Sequence, residues 1–220
     1  MNKLLRVHRS KENARQAYNR MSRYYDWLSG SSEERFRRTG MELLDASVGE
    51  TILEIGYGTG HSVLDLAMAV GDSGKVLGID ISDGMRTVAM ERIRRAELQS
   101  RVTLECGDGL ALPYAACSVD AVFFCFTLEL FDTPELPAVL GECRRVLKHG
   151  GRICVVAMSK LGRQGPMSRL YKWAHQRFPN YIDCRPIYAE KLLETAGFTT
   201  TGRSMQSMWG LPIEIVLSHR

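Results

Sequence analysis

Apolar positions recur along the chain with two different periods, and the switch between them sets out its organisation. Between about residues 10 and 29, Ala14, Ala17, Tyr18, Met21, Tyr25 and Leu28 share one face at 3.6-residue spacing, while Arg15, Asn19, Arg20 and Arg23 lie elsewhere. That pattern predicts an amphipathic helix. Gly30-Ser31-Ser32 interrupts it, and Ser32 is placed to cap a second helix reaching about Ala46. From residue 51 onward, short apolar runs alternate with helical patterns. Strands are predicted near 51–55, 76–80, 102–106, 119–125 and 151–157, and helices over 60–70, 83–98 and 134–147. Asp83 is the expected N-cap of the middle helix, and Lys148-His149-Gly150-Gly151 the expected stop of the last. Strand–helix alternation implies a parallel sheet with right-handed crossovers. Past Ser159 the pattern changes. A Gly-rich stretch, Lys160–Met167, leads to a helical run, Ser168–Phe178, and an irregular one, Pro179–Pro186. A helix over Ile187–Ala196 stops at Gly197, and two strand-like runs follow, Phe198–Met205 and Leu211–Leu217.

The first strand–helix junction carries the most chemistry. It reads Leu53-Glu54-Ile55-Gly56-Tyr57-Gly58-Thr59-Gly60. Glycine lets the backbone take positive φ and approach a ligand closely, and the carboxyl ends of strands are where open α/β sheets bind ligands. A dinucleotide turn has the spacing G-x-G-x-x-G and holds a pyrophosphate on the helix N-terminus. Here the spacing is G-x-G-x-G, with Glu54 two residues before the first glycine. A carboxylate there repels a pyrophosphate and suits a cation. S-adenosylmethionine fits: it carries a sulfonium and an ammonium and no phosphate. Two further strand ends carry acids. Asp80, closing Lys75-Val76-Leu77-Gly78-Ile79-Asp80, is placed to accept ribose hydroxyls. Asp108, within Gly107-Asp108-Gly109, is placed to meet an adenine amino group, or else serves turn chemistry. Ile81 and Met85 are candidates to pack on adenine. His61 either contacts cofactor or simply starts the helix.

The ordered series LEIGYGTG, GIDIS, GDGLALP, VDAVFFCFTLELFD and RRVLKHGGRICVVAMS resembles that of class I S-adenosylmethionine-dependent methyltransferases. Within them the chain is most similar to the ubiquinone/menaquinone-biosynthesis C-methyltransferases and their bacterial relatives, over roughly residues 14–200. The resemblance implies a Rossmann-like α/β fold. Its central, mostly parallel seven-stranded sheet would have helices on both faces and end in an antiparallel edge pair. An N-terminal helical lid (1–47) would precede the cofactor domain (48–220), with an acceptor-pocket insertion at about 160–186. It further implies that Glu54, Gly56, Tyr57, Gly58, Thr59 and Gly60 cradle the cofactor, with Asp80, Ile81, Met85, Gly107, Asp108 and Gly109 at its nucleoside. Cys125, Phe126 and Thr127, after the fourth strand, fall at the methyl-transfer rim, where a backbone group meets the methionyl ammonium. Tyr25 matches the family's N-terminal Tyr-Asp pair, here Tyr25-Asp26. The product would be S-adenosylhomocysteine.

Composition narrows the class. With 45% apolar and 25% charged residues the chain is an ordinary globular one, and no run approaches the eighteen apolar residues of a membrane span. Six cysteines at 106, 117, 125, 143, 154 and 184 show no C-x-x-C spacing. They read as buried reduced thiols in a cytoplasmic protein, and no metal site is expected. Charge is uneven: residues 1–40 hold ten Lys/Arg against four Asp/Glu, net +6, and the rest are net −2. The basic N-terminal helix is either a solvated face or a peripheral contact with an anionic membrane.

The acceptor is less legible. Tyr25 and His175 are the candidate catalytic residues, and neither lies in a diagnostic motif. Asp183, Cys184 and Arg185 could line the same pocket. Tyr171, Trp173, Phe178, Tyr181, Met205, Met208 and Trp209 favour a flat or lipidic small-molecule acceptor, such as a demethylmenaquinol-like ring. Two alternatives stand beside it, a phospholipid amine and a non-catalytic cofactor-binding protein. Nucleic acid is disfavoured, since no added binding module is present. Oligomeric state is not legible.

Overall fold

The structure, a computed structural model, describes residues 6, 9–22, 30–161 and 185–220. Two N-terminal helices, α1 (Lys11–Met21) and α2 (Gly30–Leu44), precede the alternating part of the chain. That part runs β1 (Thr51–Ile55), α3 (His61–Ala69), β2 (Lys75–Asp80), α4 (Asp83–Arg95), β3 (Val102–Cys106) and β4 (Val119–Cys125). It continues through α5 (Leu136–Val146), β5 (Leu147–Met158), α6 (Ala189–Thr195), β6 (Thr199–Met208) and β7 (Leu211–His219). The seven strands form one sheet in the order β3-β2-β1-β4-β5-β7-β6. β1 to β5 are parallel, and β7 runs antiparallel to both β5 and β6. Strand order reverses between β1 and β4, and the reversal opens a crevice at their carboxyl ends.

Strand alternation divides the core in two. Ile52, Ala121, Phe123, Cys154 and Val156 face a layer containing Phe36 and Leu44 of α2 and Val63 and Leu66 of α3. Leu53, Val122, Phe124, Ile153 and Val155 face Val139 and Leu140 of α5 and Leu193 of α6. Both faces of the central strands are covered, which is why these strands read as continuous apolar runs. α2 lies close to the sheet because Gly40 has no side chain: a Cβ there would meet Phe123 Cε2 at 3.1 Å. Arg152, midway along β5, secures the end of this helix. It donates to the Leu44 and Asp45 carbonyls and pairs with Glu50 at 2.7 Å.

Several boundaries differ from expectation, each for a local reason. α2 begins at Gly30, so Ser32 lies inside the helix. The cap of α4 is Ser82, whose hydroxyl accepts from Met85 N at 3.1 Å, and Asp83 falls in the first turn. α5 ends at Val146, and Lys148–Gly151 join β5. Leu147 pairs with Val119, and a register shift between Val119 and Ala121 absorbs the extra residues. β6 extends to Met208, because Trp209 and Gly210 both take positive φ (51° and 82°) and close a tight hairpin turn. Of the region expected as a cap over 1–47, α2 packs into the core and α1 lies over α4. Cys106 and Cys117 are exposed, whereas Cys143 and Cys154 are buried as expected. Tyr25, His175, Asp183, Cys184 and all but the ends of the 160–186 insertion lie outside the described residues.

Phe123 is fully buried between β1, β5 and α2. Phe123→Ala is expected to cost about 3–5 kcal/mol, measured by urea unfolding, through lost burial and the cavity left behind.

Candidate functional site

The crevice at the strand-order reversal is a cavity of about 360 Å³. Its floor is the glycine turn. Gly56 takes φ 75° and donates to the Ile79 carbonyl at 2.7 Å, and its own carbonyl accepts from the Thr127 hydroxyl at 3.2 Å. A Cβ at Gly56 would overlap the Thr127 side chain. Gly58 and Gly60 also take positive φ, and Gly58 N donates to Asp80 Oδ2 at 2.9 Å. The three glycines turn the chain sharply enough for β1 to feed α3.

Phe126 is the one bulky cavity residue with strained backbone. Its φ of 52° is rare for a side chain of this size. The conformation is held by Phe126 N donating to the Val156 carbonyl at 2.8 Å and by edge-on packing of its ring against Phe36 at 6.2 Å. Strain of this kind persists where the surroundings over-determine it, commonly beside a ligand. Cys125, beside it, lines the cavity, and burial pushes its thiol up, so it stays protonated and is not a nucleophile.

Acids dominate the electrostatics. Glu54 is buried, and burial pushes its carboxyl up to about 8 against the opposing hydrogen bond from Ser62 and the charge of Arg37. Its Oε2 has no partner. Asp80 is pushed up to about 6 by burial, opposed by N–H donors from Ser82 and Gly58. Asp108 accepts from Leu110 N at 3.0 Å and from Lys11 Nζ at 2.5 Å, and Lys11 also pairs with Glu135 at 3.1 Å. An orphaned carboxylate oxygen beside a glycine cradle fits a sulfonium or ammonium and disfavours a phosphate.

Of the residues singled out in the sequence, Glu54, Gly56, Tyr57, Gly58, Thr59, Asp80, Ile81, Met85, Gly107, Asp108, Gly109, Cys125 and Phe126 all line this one cavity. His61 and Thr127 line it as well. Gly60 stands just behind it, where a Cβ would meet Ala89 of α4 at 2.8 Å. Tyr57 is anchored away from a ligand, with its ring against Gly78 and its hydroxyl donating to the Glu105 carbonyl at 3.1 Å. The sequence reading missed Ser10, Lys11 and Ala14 of α1, which line the cavity with Tyr18. It also missed Glu33 and Arg37 of α2. The spacing of the α1 residues was a usable signal, since they share one face. No local pattern marks Glu33 and Arg37, which reach the cavity only because α2 packs on β4 and β5. α1 is held in place by Asn19, whose Oδ1 accepts from the Ser82 hydroxyl at 2.6 Å and from Gly84 N at 2.9 Å.

Comparison with known proteins agrees with this geometry. A family model described as a methyltransferase domain matches residues 52–151. Demethylmenaquinone methyltransferase of Oceanobacillus iheyensis is 32% identical over 70% of this chain and 63% of its own length, so the match spans less than two thirds of that relative. The enzyme of the same name from Tropheryma whipplei is 32% identical over 82% of this chain and 74% of its own. A crystal structure of a SAM-dependent methyltransferase from Aquifex aeolicus shares the fold, with a TM-score of 0.62 and 22% identity over 83% of this chain and 88% of that one. The chain belongs to the methyltransferase family that includes the demethylmenaquinone methyltransferases.

Gly56→Ala is expected to abolish S-adenosylmethionine binding in calorimetry, because φ 75° and Thr127 both exclude a methyl group. A second outcome follows from Asp80. Its carboxylate is the acceptor for donors at the cavity, and it is protonated in the free protein below about pH 6. Cofactor affinity is therefore expected to fall as pH drops through that value, to about tenfold weaker at pH 5 than at pH 7. Asp80→Asn should bind weakly and flatten this dependence.

Proposed function

We propose that this protein transfers the methyl group of S-adenosylmethionine to a carbon of a lipophilic, hydroxylated aromatic ring of the demethylmenaquinol type. The observation that carries the reading is the acidic, glycine-floored cavity in a chain whose relatives are named demethylmenaquinone methyltransferases. Asp80 would hold the ribose hydroxyls. Asp108 would exchange its contact with Lys11 for one with the adenine amino group, and Glu54 would face the cationic methionyl end. The cofactor supplies an activated methyl group, and a sulfide leaves readily. The protein's part is then alignment, exclusion of water and removal of one proton from the acceptor. A reduced, electron-rich ring is the nucleophile; the oxidised quinone lacks the ionisable hydroxyls that would feed electrons to the ring carbon.

Such a ring partitions into a bilayer, and two features support contact of this protein with a membrane surface. Residues 1–40 carry net +6. Trp209 is 69% exposed at the β6–β7 turn, and the pairing of Ile213 with Met158 puts that turn at the sheet edge that bears the cavity. Tryptophan favours the membrane–water interface. Among the described residues, no helix is long and apolar enough to cross a membrane.

The test is S-adenosylhomocysteine formation with demethylmenaquinol in vesicles, with the product resolved by mass spectrometry. Transfer of one methyl group to the ring, only under reducing conditions, is the expected outcome. Transfer to the vesicle phospholipid instead, or none to either, would overturn it.

A further inference from the structure

Beside the cofactor cavity lie two buried ionisable side chains whose hydrogen-bonding capacity is only partly used. Glu129 belongs to a 3-10 turn, Leu128–Leu130, that follows β4. Its Oε1 accepts from Met158 N at 3.1 Å, and its Oε2 has no partner. Arg185 precedes Ile187, the residue that pairs with Ser159 at the end of β5. Its Nη2 donates to the Phe131 carbonyl at 2.6 Å, while Nε and Nη1 have no partner. Both side chains are fully buried, and each feels the other's charge without a direct ion pair between them.

Stability does not explain this pair. An unpaired buried donor or acceptor costs free energy, and apolar residues of similar volume would pack the site better. Each side chain is fixed by one atom, which leaves a carboxylate oxygen and two guanidinium nitrogens, Nε and Nη1, unspent. They flank one short wall, Leu130–Phe131, whose other side lines the cofactor cavity. Glu129 follows Phe126 by three residues, and its bond from Met158 N places it at the carboxyl ends of β4 and β5.

We propose that Glu129 and Arg185 form the acceptor's oxygen site, in which Arg185 Nε–H and Nη1–H donate to a ring hydroxyl oxygen and Glu129 removes its proton. The inference rests on the methyl-transfer reading above and assigns its base. Neither side chain lines the cavity and both are fully buried, so the acceptor hydroxyl reaches the pair only when Leu130 and Phe131 yield to it. As the O–H bond breaks, its proton passes to Glu129 and its electron pair moves into the ring. The ortho carbon then bonds to the methyl group while the carbon–sulfur bond breaks towards sulfur. The methylated carbon loses its hydrogen as a proton, and Glu129 returns the first proton to the ring oxygen, so one proton is released per transfer. The ionised hydroxyl is stabilised by Arg185, whose planar fork holds an oxyanion in a dry site.

Burial pushes Glu129 up to about 8; the Met158 and Glu129 N–H groups and Arg185 oppose the shift, and Glu33 on α2 adds to it. Its basic form therefore accumulates as pH rises through that value. Glu129→Gln keeps an acceptor for Met158 N, so thermal unfolding should not fall. Its kcat with demethylmenaquinol is expected to drop about a hundredfold and to lose its rise with pH. Arg185→Lys should raise the acceptor KM at least about tenfold and leave cofactor affinity unchanged. 1-Naphthol, whose fluorescence reports ionisation of its hydroxyl, gives a readout independent of turnover. In the presence of S-adenosylhomocysteine it should bind wild type saturably and the Arg185 variant at least about tenfold more weakly. Equal binding to both proteins, or a Glu129→Gln enzyme with wild-type kcat and pH profile, would overturn the site. Naphthol binding that depends on both residues, in a protein that forms no S-adenosylhomocysteine with any acceptor, would support the site and refute the methyl-transfer reading.

Discussion

The position of everything functional depends on the backbone at Gly56. There the chain leaves β1 with φ 75°, donates to Ile79 at the end of β2 and accepts from Thr127 just past β4. One residue thus ties together the three strands around the strand-order reversal. Only glycine allows it, because the dihedral and the neighbouring Thr127 both exclude a side chain. The cavity is where it is because neighbouring connections leave in opposite directions from this point.

The cavity is built to hold positive charge at little reorganisation cost. Glu54 is buried and Asp80 half-buried, and both are pushed towards the neutral form. A cation there draws these acids back to their charged form, and at low local dielectric its attraction to the carboxylates is weakly screened. The same environment makes a pyrophosphate unwelcome. This is the physical distinction between two cofactor classes that share a strand–turn–helix geometry. Acidity continues past the cofactor to Glu129, where Arg185 supplies a counter-charge at the carboxyl ends of β4 and β5.

The two N-terminal helices contribute in different ways. α2 is part of the core, and its Glu33 and Arg37 line the cavity beside Glu54. α1 lies along the cavity, anchored by Asn19 on the first turn of α4 and by Lys11 between Asp108 and Glu135. Arg6 adds a bidentate contact with Asp132, the residue after Phe131. These anchors are polar and partly exposed, so each is weak alone and sensitive to salt.

Strand and helix order, the glycine turn, the acids at three strand ends and the cofactor class were all legible in the sequence. Each is a local signal: apolar period, glycine spacing, and charge at the end of an apolar run report the backbone on which they sit. Boundaries slipped where tertiary pairing overrode local preference, as at Lys148–Gly151, drawn into β5 by the register shift beside Val119, and at Ser82, which took the cap expected of Asp83. The roles of Lys11, Glu33 and Arg37, and the meeting of Glu129 with Arg185 across 56 residues of chain, left no such mark. Those contacts are set by how helices and strand ends pack in three dimensions. A charged side chain looks the same in sequence whether it faces water or is buried with half its hydrogen bonds unspent.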